Sequence, residues 1–430
     1  MRQVRWPGAY FWIYAAVIPY HLNEASFRIL VPPYLHEIGF GLGLIGFLVA
    51  LYGVAALASR LPVGLLYRRE QARFVAAGAL ATMGGLSFVY IVVAEPLAVA
   101  VLRIAHGLVM GTAGTLHLAL FLEARPPGVD RGRATALYAA TTTVAYLIGN
   151  FGAGALADFF GYDVAFAVSG ISVLVAAGVT LLIRFPAAAR TNVSDTAPTA
   201  VSTEALPPRS DALPAPANKP SGPVAAALLL GNRGIRDTCL GSLVTNILVD
   251  MTWNFVPLWG VSVGHSLATV GAVRSAGNIS GLFARALAGE VGRLMGWGVM
   301  SAGCIVILGL IIILLPTSPE IVFLFVIVSG VATIRGMQSV ANNVILMEET
   351  DAKPQLRGMG SAVVSMSRDI GSILGPFIGG LVGATYGLDN MFRLVPIPLI
   401  LLYVPILVSE IARRRSQRSV REDTAGGVPA

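Results

Sequence analysis

A small set of ionisable side chains stands inside stretches that are otherwise apolar, and their types suggest proton and anion chemistry. His21, Asn23, Glu24 and Arg28 fall within about two turns of one predicted helix. Asp250, Arg274, Arg335, the adjacent pair Arg368-Asp369, and Arg103 followed by His106 occupy comparable positions further along. Glu24 and Asp250 are carboxylates that could load and release a proton. Each arginine offers a two-pronged donor fork that suits carboxylate or phosphate. Glu24 and Arg28 are spaced i,i+4, so they also read as a self-neutralising pair. Adjacent residues on a helix diverge by about 100°, so Arg368 and Asp369 cannot face the same neighbour. Arg28, Arg103, Arg274, Arg335 and Arg368 set against Glu24, Asp250 and Asp369 leave two positive charges in excess, which favours an anionic partner.

The elements that must carry these groups are membrane spans. The 430 residues are 55% hydrophobic and 12% charged, with a mean hydropathy of +0.73, whereas soluble domains carry about 25% charged residues. A lipid-crossing helix needs about 20 apolar residues, and twelve such stretches begin at Phe11, Leu44, Phe74, Leu97, Ala134, Val164, Thr238, Ala268, Val299, Ile321, Met359 and Met391. An ionisable group inside a span costs about 3 kcal/mol on insertion scales, so it is expected to face the protein interior. Of the 30 basic residues, five lie within spans and Arg393 lies on the outer side. The other 24 fall in the N-terminal stub, the inner loops and the tail. That bias places both termini in the cytoplasm. It also excludes nucleic acid as a partner, because the basic residues mark topology and form no aromatic-interleaved patch.

Residues 186–223 hold eight prolines among many Ala, Ser and Thr and read as a flexible inner linker. The expected organisation is a six-helix bundle over 1–185, this linker, a second six-helix bundle over 224–412, and a basic tail over 413–430. Cys239 and Cys304 give no metal spacing. The fingerprint Gly41-x-Gly43-x-x-Gly46 has no preceding strand and is set aside as a dinucleotide site. No cofactor is expected, and no nucleophile, acid and base stand together as an enzyme would require.

The two halves are copies. At an offset of 226 residues, 131–166 aligns without gaps on 357–392 with nine identities, among them Arg131/Arg357, Gly149/Gly375, Gly154/Gly380, Gly161/Gly387 and Asp163/Asp389, and Glu24 falls on Asp250. At 225, Pro32 falls on Pro257, Gly46 on Gly271, Arg60 on Arg285 and Gly64 on Gly289. This pattern resembles the major facilitator superfamily of secondary transporters, in which two six-helix bundles rock about a central site. Arg60-Leu61-Pro62-Val63-Gly64 and Arg285-Ala286-Leu287-Ala288-Gly289 are similar to the family's loop signature, although its Asp positions hold Arg68 and Arg293. Arg103 to Gly107 is similar to the fourth-helix motif associated with proton coupling. Gly375-Pro376-Phe377-Ile378-Gly379-Gly380 is similar to an antiporter motif but lies in the eleventh span, where the family has it in the fifth.

The resemblance implies an all-α membrane protein of twelve spans that moves a small solute by alternating access, as a monomer in the lipid bilayer. Glu24, Asp250 and Arg103 are the expected proton-coupling residues. Arg274, Arg335, Arg368, Tyr146, Asn150, Trp253, Asn254 and Gln338 are expected to bind the solute, and Arg60, Gly64, Arg285 and Gly289 to gate it. Two other readings stand beside this one. His21, Glu24 and Asp250 with Met251 suggest a metal ion or chelate as cargo. The altered loop signature and the linker suggest a non-transporting sensor or assembly factor.

Overall fold

A computed structural model describes residues 8–124, 131–183, 231–351 and 357–425. Among them every regular element is helical: α1 (Gly8–Glu37), α2 (Leu42–Leu65), α3 (Arg69–Val89), α4 (Pro96–Ala124), α5 (Arg131–Phe160), α6 (Tyr162–Leu181), α7 (Arg233–Ser262), α8 (Leu267–Met295), α9 (Trp297–Leu314), α10 (Ile321–Asp351), α11 (Arg357–Tyr386), α12 (Leu388–Leu394) and α13 (Pro396–Ala425). Helices dominate because lipid offers no hydrogen bonds to a free backbone. Pro396 cannot donate a backbone N–H, so the twelfth span is split at Val395 into α12 and α13. The linker 186–223 lies outside the described residues. Residues 413–425 of the tail continue α13 as helix.

Among the described residues, nine helices are long and apolar enough to cross a membrane by length and composition alone. The three remaining full-length helices are α1, α8 and α11. They carry Glu24 and Arg28, Arg274 and Arg285, and Arg368 and Asp369, so their polar residues lower the apolar score of helices that span with the rest. All twelve expected spans are therefore present.

The repeat is preserved as geometry. Leu42 and Leu267, and Pro96 and Ile321, open equivalent helices 225 residues apart. The turns repeat too: Gly39 (φ 95°) matches Gly264 (φ 94°), and Gly161 (φ 86°) matches Gly387 (φ 82°). Positive φ at these four turns is the reason glycine stands there. Within the first half α1 packs on α5, α2 on α4, α3 on α6 and α3 on α4. The second half repeats this as α7 on α11, α8 on α10, α9 on α13 and α9 on α10.

The halves meet along three seams, α1 with α7, α2 with α11, and α5 with α8. On the face opposite the termini the last two are in backbone contact. A Cβ on Gly46 would stand 2.7 Å from Gly380 Cα, and one on Gly154 would stand 2.7 Å from the Leu267 carbonyl carbon. These contacts are related by the repeat, since Gly154 corresponds to Gly380 and Leu267 to Leu42. The Asp158 carboxylate reinforces the second seam by accepting from Leu267 N at 3.0 Å and Ala268 N at 2.6 Å, two of the free donors that open α8. Toward the face that carries both termini, Gly64 and Gly289 have no such neighbours.

Candidate functional site

At the centre, α1 and α7 bring together the two carboxylates that the repeat makes equivalent, and one arginine lies between them. Arg28 donates to Glu24 Oε1 at 3.0 Å and reaches Asp250 Oδ1 at 3.5 Å. The i,i+4 spacing along α1 provides the first contact; the packing of α1 against α7 provides the second. Glu24 and Asp250 are 6% and 5% exposed, while the Arg28 side chain is 38% exposed. The remaining carboxylate oxygens are also engaged. His21 Nδ1 lies 3.1 Å from Glu24 Oε2, and Ser372 Oγ donates to Asp250 Oδ2 at 2.6 Å.

Two cavities flank this trio, and Arg28 lines both. The first, of about 140 Å³, is mixed in charge: Glu24, Asp250 and Asp369 face Arg28, Arg60 and Arg103. Arg103 is buried, donates through Nε to the Leu48 carbonyl at 3.2 Å, and lies 4.5 Å from the Tyr52 ring centroid. Arg60 donates to Asp369 Oδ2 at 2.6 Å, tying α2 to α11 on the terminal side of the central trio.

The second cavity, of about 260 Å³, lies among α5, α8 and α10, and its lining holds four arginines and no carboxylate: Arg28, Arg274, Arg285 and Arg335. Arg274, Asn278 and Arg285 share one face of α8 because offsets of four and eleven residues return close to the same helical angle. The Arg274 side chain is 4% exposed, donates through Nη1 to the Arg28 carbonyl at 3.3 Å, and lies 5.3 Å from the Trp253 ring centroid. Its Nε has no partner among the described residues. The Oδ1 atom of Asn150, also on the lining, is likewise without one. A buried guanidinium with an unused donor suits a transient anionic ligand.

The sequence profile of the Major Facilitator Superfamily matches residues 13–376. The chain belongs to this superfamily. Solved structures of its fold include the nucleoside transporter NupG, with a TM-score of 0.72 at 13% identity over 93% of this chain and 99% of that one. A bacterial homolog of the human lysosomal transporter Spinster, captured inward-facing and unoccupied, gives 0.67 at 14% identity over 94% and 95%. No curated protein matches by sequence. The superfamily assignment and the helices make this an integral multi-pass membrane protein with a transporter's architecture, and not an enzyme.

Of the residues expected to bind solute in this superfamily member, Arg274, Arg335, Tyr146, Asn150 and Trp253 line the cationic cavity, and Asn254 lines the mixed one. Arg368 and Gln338 line neither. Arg368 is turned 100° from Asp369 and is exposed. Gln338 is buried beside Gly241 of α7. Arg285, expected as a gate, is part of the cationic lining. Sequence reasoning passed over Asn278 and Ser372, although the i,i+4 spacings from Arg274 and from Arg368 were available signals. Among the described residues no three His, Cys, Asp or Glu side chains gather as metal ligands, and Met251 is fully buried against Gly379.

Proposed function

We propose that this protein is a proton-coupled secondary transporter of a small organic anion. It works as a monomer by alternating access, with both termini cytoplasmic. The observation that carries this reading is the cavity lined by Arg28, Arg274, Arg285 and Arg335 without a carboxylate. Arg28 supplies the link to protons. It belongs to both cavities and already contacts Glu24 and Asp250. An anion entering the cationic cavity competes for its guanidinium, and the carboxylate that loses contact becomes the proton acceptor. Anion and proton are thereby taken up at the same centre, between the two halves of the molecule. The backbone seal opposite the termini, set against the uncrowded Gly64 and Gly289, corresponds to an inward-facing stage of that cycle.

The test uses proteoliposomes that enclose a pH-sensitive dye and are given lactate, benzoate, succinate or glycerol phosphate, with uridine as the neutral comparator. At least one anion should drive proton movement in the wild-type protein, and Glu24→Gln should abolish it. Anion uptake indifferent both to an imposed pH gradient and to Glu24→Gln would refute coupling. Uptake of uridine with no anion transported would refute the anion reading.

A further inference from the structure

We infer that the solute carries two anionic groups at separate positions, as a short dicarboxylate does, one held at Arg274 and the other at Arg285 and Arg335. This rests on the anion reading above and narrows it to a substrate class.

The inference begins with unbalanced charge. Arg28 is answered by Glu24 and Asp250, a pair that exceeds it by one negative charge. No carboxylate lies within ion-pair distance of Arg274, Arg285 or Arg335 among the described residues, and none lines their cavity. Set against that one surplus carboxylate, Arg274, Arg285 and Arg335 leave two positive charges, so a monoanion leaves one of them unanswered when the cavity closes and water is expelled. In that setting like charges repel far more strongly than in bulk water. A second anionic group on the same solute removes most of this mismatch.

The arrangement of the arginines separates the two groups. Arg274 and Arg285 are eleven residues apart on one face of α8, so their backbones stand about 16 Å apart along the axis. Both side chains reach into one cavity of about 260 Å³. Arg274 is the closed end: it is 4% exposed, backed by the Trp253 ring, and has an unpartnered Nε. Arg285 is exposed and lies toward the terminal face, while Arg335 comes from α10 across the cavity. A compact anion held at the buried Arg274 Nε leaves the exposed end of this lining unanswered, whereas a chain of a few carbons with a charge at each end meets both. Asn278, one turn from Arg274 toward Arg285, and Tyr146 line the same cavity, with Asn150 at the Arg274 end, and they suit polar substituents on that chain.

Thermal shift of the purified full-length protein tests this with probes matched in length and differing in charge: succinate and glutarate against butyrate, with inorganic phosphate and uridine alongside. A ligand that binds the folded state raises its melting temperature by an amount that grows with the logarithm of its concentration relative to its dissociation constant. Succinate or glutarate is expected to act at about a tenfold lower concentration than butyrate. Arg274→Gln and Arg285→Gln should each reduce that preference to near unity, because each variant keeps only one anion-binding end. Should Arg274→Gln fail to fold, Arg274→Lys and Arg335→Gln address the same point, the first retaining and the second losing the preference. Equal action of butyrate and succinate on the wild-type protein overturns the two-group proposal and leaves the anion reading intact. Stabilisation by phosphate with no dicarboxylate response also overturns it. Stabilisation by uridine alone, or by no probe, overturns both.

Discussion

The seal opposite the termini depends on the absence of two side chains, and adding them is the sharpest test of how this protein changes state. Carbon atoms in favourable contact sit about 3.5 Å apart. A Cβ on Gly46 would stand 2.7 Å from Gly380 Cα, and one on Gly154 would stand 2.7 Å from the Leu267 carbonyl carbon. Each alanine therefore has to push its seam apart by about 0.8 Å. Both obstacles are backbone, which cannot rotate away as a flexible side chain would. Overpacking of this size costs typically about 1–3 kcal/mol, and the cost falls only on the state in which the seam is closed. At about 2 kcal/mol, one substitution shifts the equilibrium roughly thirtyfold toward the state open on that face. The two sites lie on different seams, so their effects should add. The assay is pulsed EPR between spin labels at Gly41→Cys and Tyr386→Cys, which flank the α2 and α11 seam, after Cys239 and Cys304 are replaced. Gly46→Ala should move population into a longer distance, and Gly46→Ala with Gly154→Ala should do so more completely. Gly64→Ala and Gly289→Ala are the controls, because a Cβ there meets nothing within 4 Å. An unchanged distance distribution in the Gly46→Ala/Gly154→Ala protein would refute the claim that these contacts hold the face shut.

Two further outcomes follow from buried and half-buried polar contacts. Asn342 accepts from Ser301 at 2.8 Å and donates to Ser242 at 3.0 Å, joining α9, α10 and α7 inside the second half. Asn342→Ala should cost about 1–3 kcal/mol by stranding those hydroxyls, lowering the melting temperature by several degrees without altering ligand preference in the thermal-shift series. The Arg60–Asp369 pair is partly exposed, with side chains 44% and 25% accessible, so it contributes about 1 kcal/mol or less. Reversing either charge alone should widen the distance between labels at Leu66→Cys and Ser361→Cys, and the double reversal should restore it. A double reversal that behaves as the sum of its parts would show that the pair has no role in holding α2 to α11.

Much of the candidate site was legible in the sequence because its signals are local. Glu24 and Arg28 are four residues apart on one helix, and their contact follows from helical geometry. The equivalence of Glu24 and Asp250 was visible as an offset in the repeat and reappears as two carboxylates beside one guanidinium. Arg274, Asn150 and Trp253 were also accessible to sequence reasoning, because polar groups in apolar spans tend to face inward. What was not legible is which inward-facing groups share a space. Gln338 has the same composition signal as Asn150 but sits beside Gly241 within one half. Arg368 has the same signal as Arg274 but is exposed and lines neither cavity.

The sequence by itself determined that the chain lives in lipid, that it is two copies of one six-span unit, and which polar residues occupy equivalent places. Composition, span length and repeat offset are properties of the chain that no packing alters. Tertiary structure decided the rest. It brought Arg28 to Asp250 across the two halves, joined Arg60 to Asp369 over 309 positions, and collected Arg274, Arg285 and Arg335 around a single cavity. The reason is angular: each residue turns a helix by about 100°, so depth along a span can be counted from sequence. The face a residue presents acquires a neighbour only when the bundles dock.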